Sequence, residues 1–340
     1  MSAPLKAPFP WFGGKSRVAA DVWARFGNVP NYVEPFAGSL AVLLGRPHAP
    51  KIETVNDLDG YVANFWRAMT KDPEAVAHHA DNPVNEADLH ARHIWLVNQK
   101  DRFVARLMGD PDFYDAKIAG WWVWGLCSWI GTGWCSGAGP WQSVDGELVN
   151  RQLPHLGNAG MGVNRQLPHL GNAGMGVNRQ LPHLGDAGRG VNRQLPHLGD
   201  AGRGVIMSLA ERLRGVRVAC GDWSRVCGES PTIKNGLTGI LLDPPYEAED
   251  RATTYIHDSR TVGADVWAWA VERGTNPLYR IAVCAYDDGR TLPDGWTRHA
   301  WKAQGGYGSQ GAAQGRANAE REVIYFSPHC LTKKQGDLFG

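Results

Sequence analysis

The sequence predicts an α/β protein built on a doubly wound sheet, and three observations carry that prediction. Short apolar runs of strand length alternate with segments of helical period, first over residues 18–69 and again over 206–326. Acidic residues stand at the ends of these runs, at Glu34, Asp57, Asp222 and Asp243, where open α/β sheets place their ligands. The length of 340 residues allows one large α/β domain or two modest ones, with ample core.

In chain order, Ser16 is placed to cap a helix whose apolar positions Val18, Val22, Trp23 and Phe26 share one side, ending near Gly27. Asn31–Glu34 reads as a short strand, Pro35–Ser39 as a loop, and a helix is expected from Leu40. Lys51–Asn56 makes a second strand, after which Asp59 can cap a helix over 61–69. Asn85 to about Gly109 is helical in period with a polar face. The stretch Ile118–Trp134 is the most apolar, but glycines at 120, 125, 131 and 133 interrupt it and it is short for a bilayer span. It reads as a Trp-rich core or binding surface. Further on, Ile206–Arg214 is expected as a helix, Val216–Ala219 and Gly239–Leu242 as strands, and Val262–Val271 as a helix. Arg280–Ala285 and Glu322–Phe326 are the last two strands, and residues 303–319, rich in Gly, Gln and Ala, are expected to form a mobile loop.

Between these halves lies a repeat. Asn150, Asn164, Asn178 and Asn192 each open a 14-residue unit NRQLPHLG(N/D)AG(M/R)GV that runs four times, to Val205. One proline and three glycines per unit exclude a continuous helix, and the period is shorter than that of the usual solenoid repeats. The near identity of the copies fits a recent duplication, tolerated as a projecting insert. The alternative is a nucleic-acid arm: residues 150–217 hold nine Arg against Asp186, Asp200 and Glu211. Arg151, Arg165, Arg179 and Arg193 recur at one position of each unit, a side chain suited to phosphates and base edges.

A net charge of +1 confines any nucleic-acid binding to local patches. The six cysteines contain no C-x-x-C pair, and the apolar settings of Cys220 and Cys284 predict buried thiols rather than zinc ligands or disulfides. That usage fits a reducing cytoplasm. Met1–Pro10 is Pro-rich and lacks the apolar core of a signal peptide.

Asp243-Pro244-Pro245-Tyr246 is the most informative group. It follows the apolar run Gly239–Leu242, so its carboxylate emerges at the end of a buried strand. The two prolines fix φ and remove two backbone donors, which frees the Pro244 carbonyl to face a cleft, and Tyr246 adds a flat aromatic face. Two oxygens and a ring suit the exocyclic amine of a planar base; a plain Pro-Pro turn is the alternative. In Glu34-Pro35-Phe36-Ala37-Gly38, the glycine permits close backbone approach to a ligand, and the following helix would present free N–H groups. A G-x-G-x-x-G fingerprint is absent. Trp11-Phe-Gly-Gly-Lys15-Ser has the ending of a P-loop, but Phe9 stands where its first glycine belongs. Asp57 can take a ribose hydroxyl pair, and Asp222 can accept from an adenine amine while Trp223 stacks nearby; taken alone, each acid is more often a cap or turn residue.

Taken as an ordered set, Trp11–Lys15, Glu34–Gly38, Val55–Asp59, Gly221–Trp223 and Asp243–Tyr246 resemble the motifs of the Dam-type DNA adenine methyltransferases. The resemblance spans roughly residues 8–70 and 206–327. It implies a Rossmann-like fold, a mostly parallel seven-stranded sheet with helices on both faces, and S-adenosylmethionine as methyl donor. Carried over by motif, Trp11, Glu34, Pro35, Phe36, Ala37 and Gly38 would line the cofactor. Asp57 would hold its ribose, Asp222 and Trp223 its adenine, and Lys15 its methionine end. Asp243, Pro244, Pro245 and Tyr246 would hold a flipped target adenine. The implied organisation is a catalytic core over 8–80 and 206–327, a helical, Trp-rich target-recognition region over 81–149, and the repeats over 150–205.

The resemblance further implies double-stranded DNA as partner, a monomer without metal, and the cytoplasm of a bacterial cell or phage-infected host. Two departures stand out. Leu40 replaces a small residue after the cofactor loop, and the middle region lacks the family's usual DNA element. In its place are six tryptophans between 121 and 141, Trp129 and Trp134 among them, which could stack on bases or pack a helix pair. Cytosine's amine or RNA as acceptor, and a non-catalytic DNA-binding protein with a relic core, are the competing readings.

Overall fold

The computed structural model describes residues 5–9, 11, 14–110, 112–129, 133–135, 141–144, 147–150, 200–245, 262–301 and 321–332. Its strands are β1 (Asn31–Glu34), β2 (Ile52–Asp57), β3 (Trp141–Val144), β4 (Glu147–Asn150), β5 (Val216–Cys220), β6 (Thr238–Leu242), β7 (Tyr279–Tyr286), β8 (Thr297–Ala300) and β9 (Glu322–Phe326). Its α-helices are α1 (Ala19–Phe26), α2 (Ala41–Leu44), α3 (Gly60–Lys71), α4 (Pro73–Ala80), α5 (Glu86–Gly109), α6 (Ala116–Ser128), α7 (Asp200–Leu213) and α8 (Val262–Gly274). Two compact units emerge: Met1–Ala7, Trp11–Ala63 and Gly215–Gly340 form one, Pro8–Pro10 and Asn64–Arg214 the other.

The first unit holds the expected seven-stranded sheet, in the order β5-β2-β1-β6-β7-β9-β8. β5, β2, β1, β6 and β7 run parallel, and β9 is antiparallel to both β7 and β8. β1 and β6 are buried along their whole length, as central parallel strands covered on both faces are, and of the two only β6 reads as an apolar run. Val33, Ile240, Leu242, Ile281 and Val283 pack with Val266 and Ala270 of α8. On the opposite face of β6, Gly239 lies so close to α1 that a Cβ there would stand 3.0 Å from the Phe26 ring. Helices therefore cover both faces, and the chain order reverses between β1 and β6, creating a topological switch point at their carboxyl ends.

Several local readings shift. The α1 helix starts at Ala19 with Val18 as its uncapped first neighbour, so Ser16 is not its cap; residues 16–18 form a turn in which the Val18 N–H reaches the Lys15 carbonyl at 3.1 Å. Asp59 does begin α3, accepting from the Tyr61 N–H at 2.9 Å. The helix expected from Leu40 is only four residues long and is entered through Leu40 in the left-handed region, φ +54°, with its side chain fully buried. The edge strand β8 escaped the sequence reading because its residues are mostly exposed and polar.

In the second unit, Asp72, Asn85 and Asp115 cap α4, α5 and α6 by accepting from Ala75, Asp88 and Ile118 N–H groups. The Trp/Gly stretch is largely the helix α6. Its glycines are packing notches: a Cβ on Gly120 would stand 2.4 Å from the His79 Cβ of α4, and one on Gly125 1.8 Å from the Trp134 ring. Those contacts offset the roughly 1 kcal/mol that each glycine costs a helix. β3 and β4 pair as an antiparallel hairpin. Residues 64–80 and 206–214, expected in the core, group with this unit, because Phe65 packs on Phe9 and Trp122 and α4 contacts both α6 and α7. α7 also begins at Asp200, so it takes up the last six residues of the fourth repeat unit, 200–205. The rest of the repeat from Arg151, and residues 303–319, lie outside the described residues.

Candidate active site

The strand-end acids of the first unit converge on one edge of its sheet, because β1, β2, β5 and β6 are parallel. After β1, the turn Pro35–Gly38 is tied down onto the end of β2. The Ala37 N–H donates to the Asn56 carbonyl at 2.8 Å and the Gly38 N–H to Asp57 Oδ2 at 2.9 Å. Gly38 takes φ +45°, and a Cβ there would lie 2.3 Å from Trp11 Nε1. Both facts require glycine, and they place the Trp11 indole directly over the turn.

Asn56 was not singled out in the sequence, yet it staples three loops. Its Nδ2 donates to the Pro35 carbonyl at 3.0 Å and to the Gly221 carbonyl at 2.8 Å, while the Gly221 N–H reaches the Asp57 carbonyl at 3.0 Å. The available signal was a polar amide at a buried strand end, next to an acid. Asp57 accepts from the Gly38 and Asp59 N–H groups. Burial, and then the neighbouring Asp59 carboxylate, push Asp57 up to about 7 against the pull of those N–H groups.

Asp222 is exposed and caps a 3-10 turn over Trp223–Val226, its Oδ1 accepting from the Ser224 N–H at 2.9 Å and from the Ser224 hydroxyl. Trp223 stacks with Phe36, the ring centroids 6.3 Å apart and the planes at 24°. The loops after β1 and β5 thus offer two near-parallel aromatic faces beside Asp57 and Asp222.

At the end of β6, Asp243 Oδ2 lies 3.0 Å from Lys15 Nζ, with the Asp243 side chain 23% exposed. Pro244 is buried and Pro245 half-buried; Tyr246 lies outside the described residues. Lys15 thus has its ammonium on Asp243, a contact the motif reading did not anticipate. Its burial works against the charge, but the carboxylates of Asp243 and Glu322 hold the ammonium above its ordinary value. Glu34 is buried and accepts from the Tyr32 hydroxyl at 3.0 Å. Burial, reinforced by the charge of Asp243, raises its carboxyl to about 8 against that hydrogen bond.

The first unit therefore gathers Trp11, Lys15, Glu34, Pro35, Phe36, Ala37, Gly38, Asp57, Asp222, Trp223, Asp243, Pro244 and Pro245. Trp129 and Trp134 belong to the second unit and are buried, the His93 ring stacked 4.9 Å from Trp129 and the Trp134 Nε1–H donating to the Trp122 carbonyl. With their faces covered they pack the helices and have no surface to offer a base, the second of the two roles the sequence left open. Arg151, Arg165, Arg179 and Arg193 lie outside the described residues. All six cysteines are buried free thiols. Among the described residues, no group of three or more His, Cys, Asp or Glu could hold a metal ion, and no helix is long and apolar enough to cross a membrane.

Residues 11–104 match the family model described as D12 class N6 adenine-specific DNA methyltransferase. The match bears out the resemblance and the enzyme class that came with it, an adenine-specific DNA methyltransferase, as well as the Rossmann-like sheet. Gly221–Trp223 and Asp243–Tyr246 lie beyond the matched segment. No curated protein matches the chain.

Proposed function

We propose that the protein moves a methyl group from S-adenosylmethionine to the exocyclic amine of an adenine flipped out of double-stranded DNA. The observation that carries this reading is the placement of Asp243: a partly exposed carboxylate at the switch point, one oxygen engaged by a buried lysine, followed by two prolines. An amine conjugated with its ring is a poor nucleophile. Hydrogen bonds from its two hydrogens to Asp243 and the Pro244 carbonyl favour the pyramidal form that reacts, and Tyr246 would stack on the extruded base.

The residues after β1, β2 and β5 fit the cofactor. Gly38 leaves room for close approach, Asp57 accepts hydroxyl donors, and Phe36 and Trp223 present flat faces to an adenine, with Asp222 at its edge. When bound, the cofactor would supply a methyl on a sulfonium, so that the amine nitrogen gains the methyl as the S–C bond breaks, a neutral thioether leaves and the amine gives up one proton to solvent, with no enzyme nucleophile needed. Asp243 orients the amine, and the cysteines stay out of the reaction as buried thiols.

The region 81–149 and the repeats would serve target recognition, and the protein would act as a monomer in the cytoplasm of a bacterial cell or phage-infected host. Asp243→Ala tests the core of the reading. Incorporation of labelled methyl into DNA should vanish while S-adenosylmethionine affinity stays close to wild type; turnover at the wild-type rate would remove Asp243 from the chemistry.

A further inference from the structure

Lys15 stands between two carboxylates that reach it from strands of opposite direction. Asp243 leaves the end of β6 and Glu322 enters the start of β9, so antiparallel pairing brings both to the same edge of the sheet. Lys15 Nζ is 3.0 Å from Asp243 Oδ2 and 3.8 Å from Glu322 Oε2. The Lys15 and Glu322 side chains are 4% and 7% exposed, whereas that of Asp243 is 23% exposed. The Trp301 ring, just after β8, lies 5.8 Å from the same ammonium. Two further groups feel these charges. Cys284 of β7 is held neutral, its thiol raised well above the ordinary value by burial and then by Asp243. Glu34 of β1, hydrogen-bonded to Tyr32, is largely protonated near neutrality.

One cation is therefore shared by two anions, only one of which is open to a substrate. A buried carboxylate is costly to desolvate, and Glu322 has its cation at 3.8 Å, longer than a hydrogen bond, while Asp243 has the short contact. Such an arrangement makes a poor structural ion pair and a good charge regulator. With Lys15 alone, the Asp243 carboxylate would be fully neutralised by its partner and would accept weakly from an amine. Glu322, a second anion on the same ammonium, draws part of that charge away and holds the lysine in place.

We propose that Glu322 is a positioning residue for methyl transfer: through Lys15 it fixes one oxygen of Asp243 and leaves that carboxylate enough negative charge to engage the amine of the base. The proposal rests on the assignment of Asp243 to the target amine made above.

Glu322→Gln keeps the shape and removes the charge. Single-turnover methyl transfer is followed beside the wild type, with DNA and S-adenosylmethionine saturating, and the affinity for each is measured separately. The rate should fall on the order of 10- to 100-fold, the scale of a misplaced reacting group. Both affinities should stay within about twofold. Glu322→Asp, which retains the charge, should recover part of the rate.

A folded Glu322→Gln protein with the wild-type rate overturns the proposal. So does a loss of S-adenosylmethionine affinity that matches the loss of rate, since Lys15 and Glu322 would then serve the cofactor. Should Glu322→Gln not fold, Glu322→Asp decides: a reduced rate with both affinities kept counts for the proposal, and a wild-type rate or a matching loss of S-adenosylmethionine affinity against it. A wild-type enzyme that methylates no adenine refutes the functional assignment itself, a result visible before any variant is compared.

Discussion

Asp57 illustrates how a single strand-end acid serves two purposes. One oxygen ties down the Gly38 turn, the other the Asp59 N–H, and burial together with Asp59 raises its carboxyl to about 7. A hydroxyl pair is best held by the charged form, so below that pH ligand binding must first remove a proton. The affinity for S-adenosylmethionine should therefore rise with pH through about 7 and level off above it, by up to tenfold per unit on the acid side. Asp57→Asn should lose about 1–3 kcal/mol of binding above neutrality and abolish its share of the pH dependence. Calorimetric titration of both proteins between about pH 6 and about pH 8 checks this. Identical pH dependence in the two would leave Asp57 a loop anchor only. At this scale the sequence was informative about which acids end strands, since an apolar run followed by an acid is visible in one dimension. It was silent on Asn56 and on the Lys15–Asp243–Glu322 cluster, because those contacts join residues from distant strands and turns.

Elements were legible where a single period dominates. The central strand β6 and α5 fall where an apolar run and a helical period put them. The misses have physical causes. Neither β8 nor the hairpin strands offer a run of apolar residues, and α2 is cut short by a turn at Leu40 that only tertiary burial explains. The Trp/Gly stretch is the instructive case, since its glycines read as interruptions of a helix. They are instead where α6 meets its neighbours most closely. Gly125→Ala raises helix propensity yet inserts a methyl into the space of the Trp134 ring, so it should destabilise the protein by about 1–3 kcal/mol. Thermal unfolding measures it, and an unchanged or raised midpoint would mean that Trp134 does not pack there.

For the molecule as a whole, the motif order predicted the Rossmann-like sheet, while its two units divide near residues 63 and 215 rather than at the bounds that the resemblance implied. The repeats share no packing partner that a sequence can reveal, and their proposed role rests on charge alone. Because α7 starts at Asp200, the test must spare it. Deleting residues 164–191, two whole units, joins Val163 to Asn192 in register and removes Arg165, Arg179 and Arg189 against Asp186. If these units bind DNA, the KM for DNA should rise and the log–log salt slope should flatten by about 0.9 for each phosphate that is no longer neutralised. Single-turnover transfer at saturating DNA should stay near wild type. Unchanged affinity and slope would make the repeats a tolerated insert.

The central claim is that this chain methylates adenine in DNA. The most direct measurement incubates the purified protein with duplex DNA and isotopically labelled S-adenosylmethionine, digests the DNA to nucleosides, and identifies the labelled one by mass. Label is expected in N6-methyldeoxyadenosine, and none with Asp243→Ala. Label in N4-methyldeoxycytidine, label only when RNA replaces DNA, or no label in any nucleoside would contradict that claim.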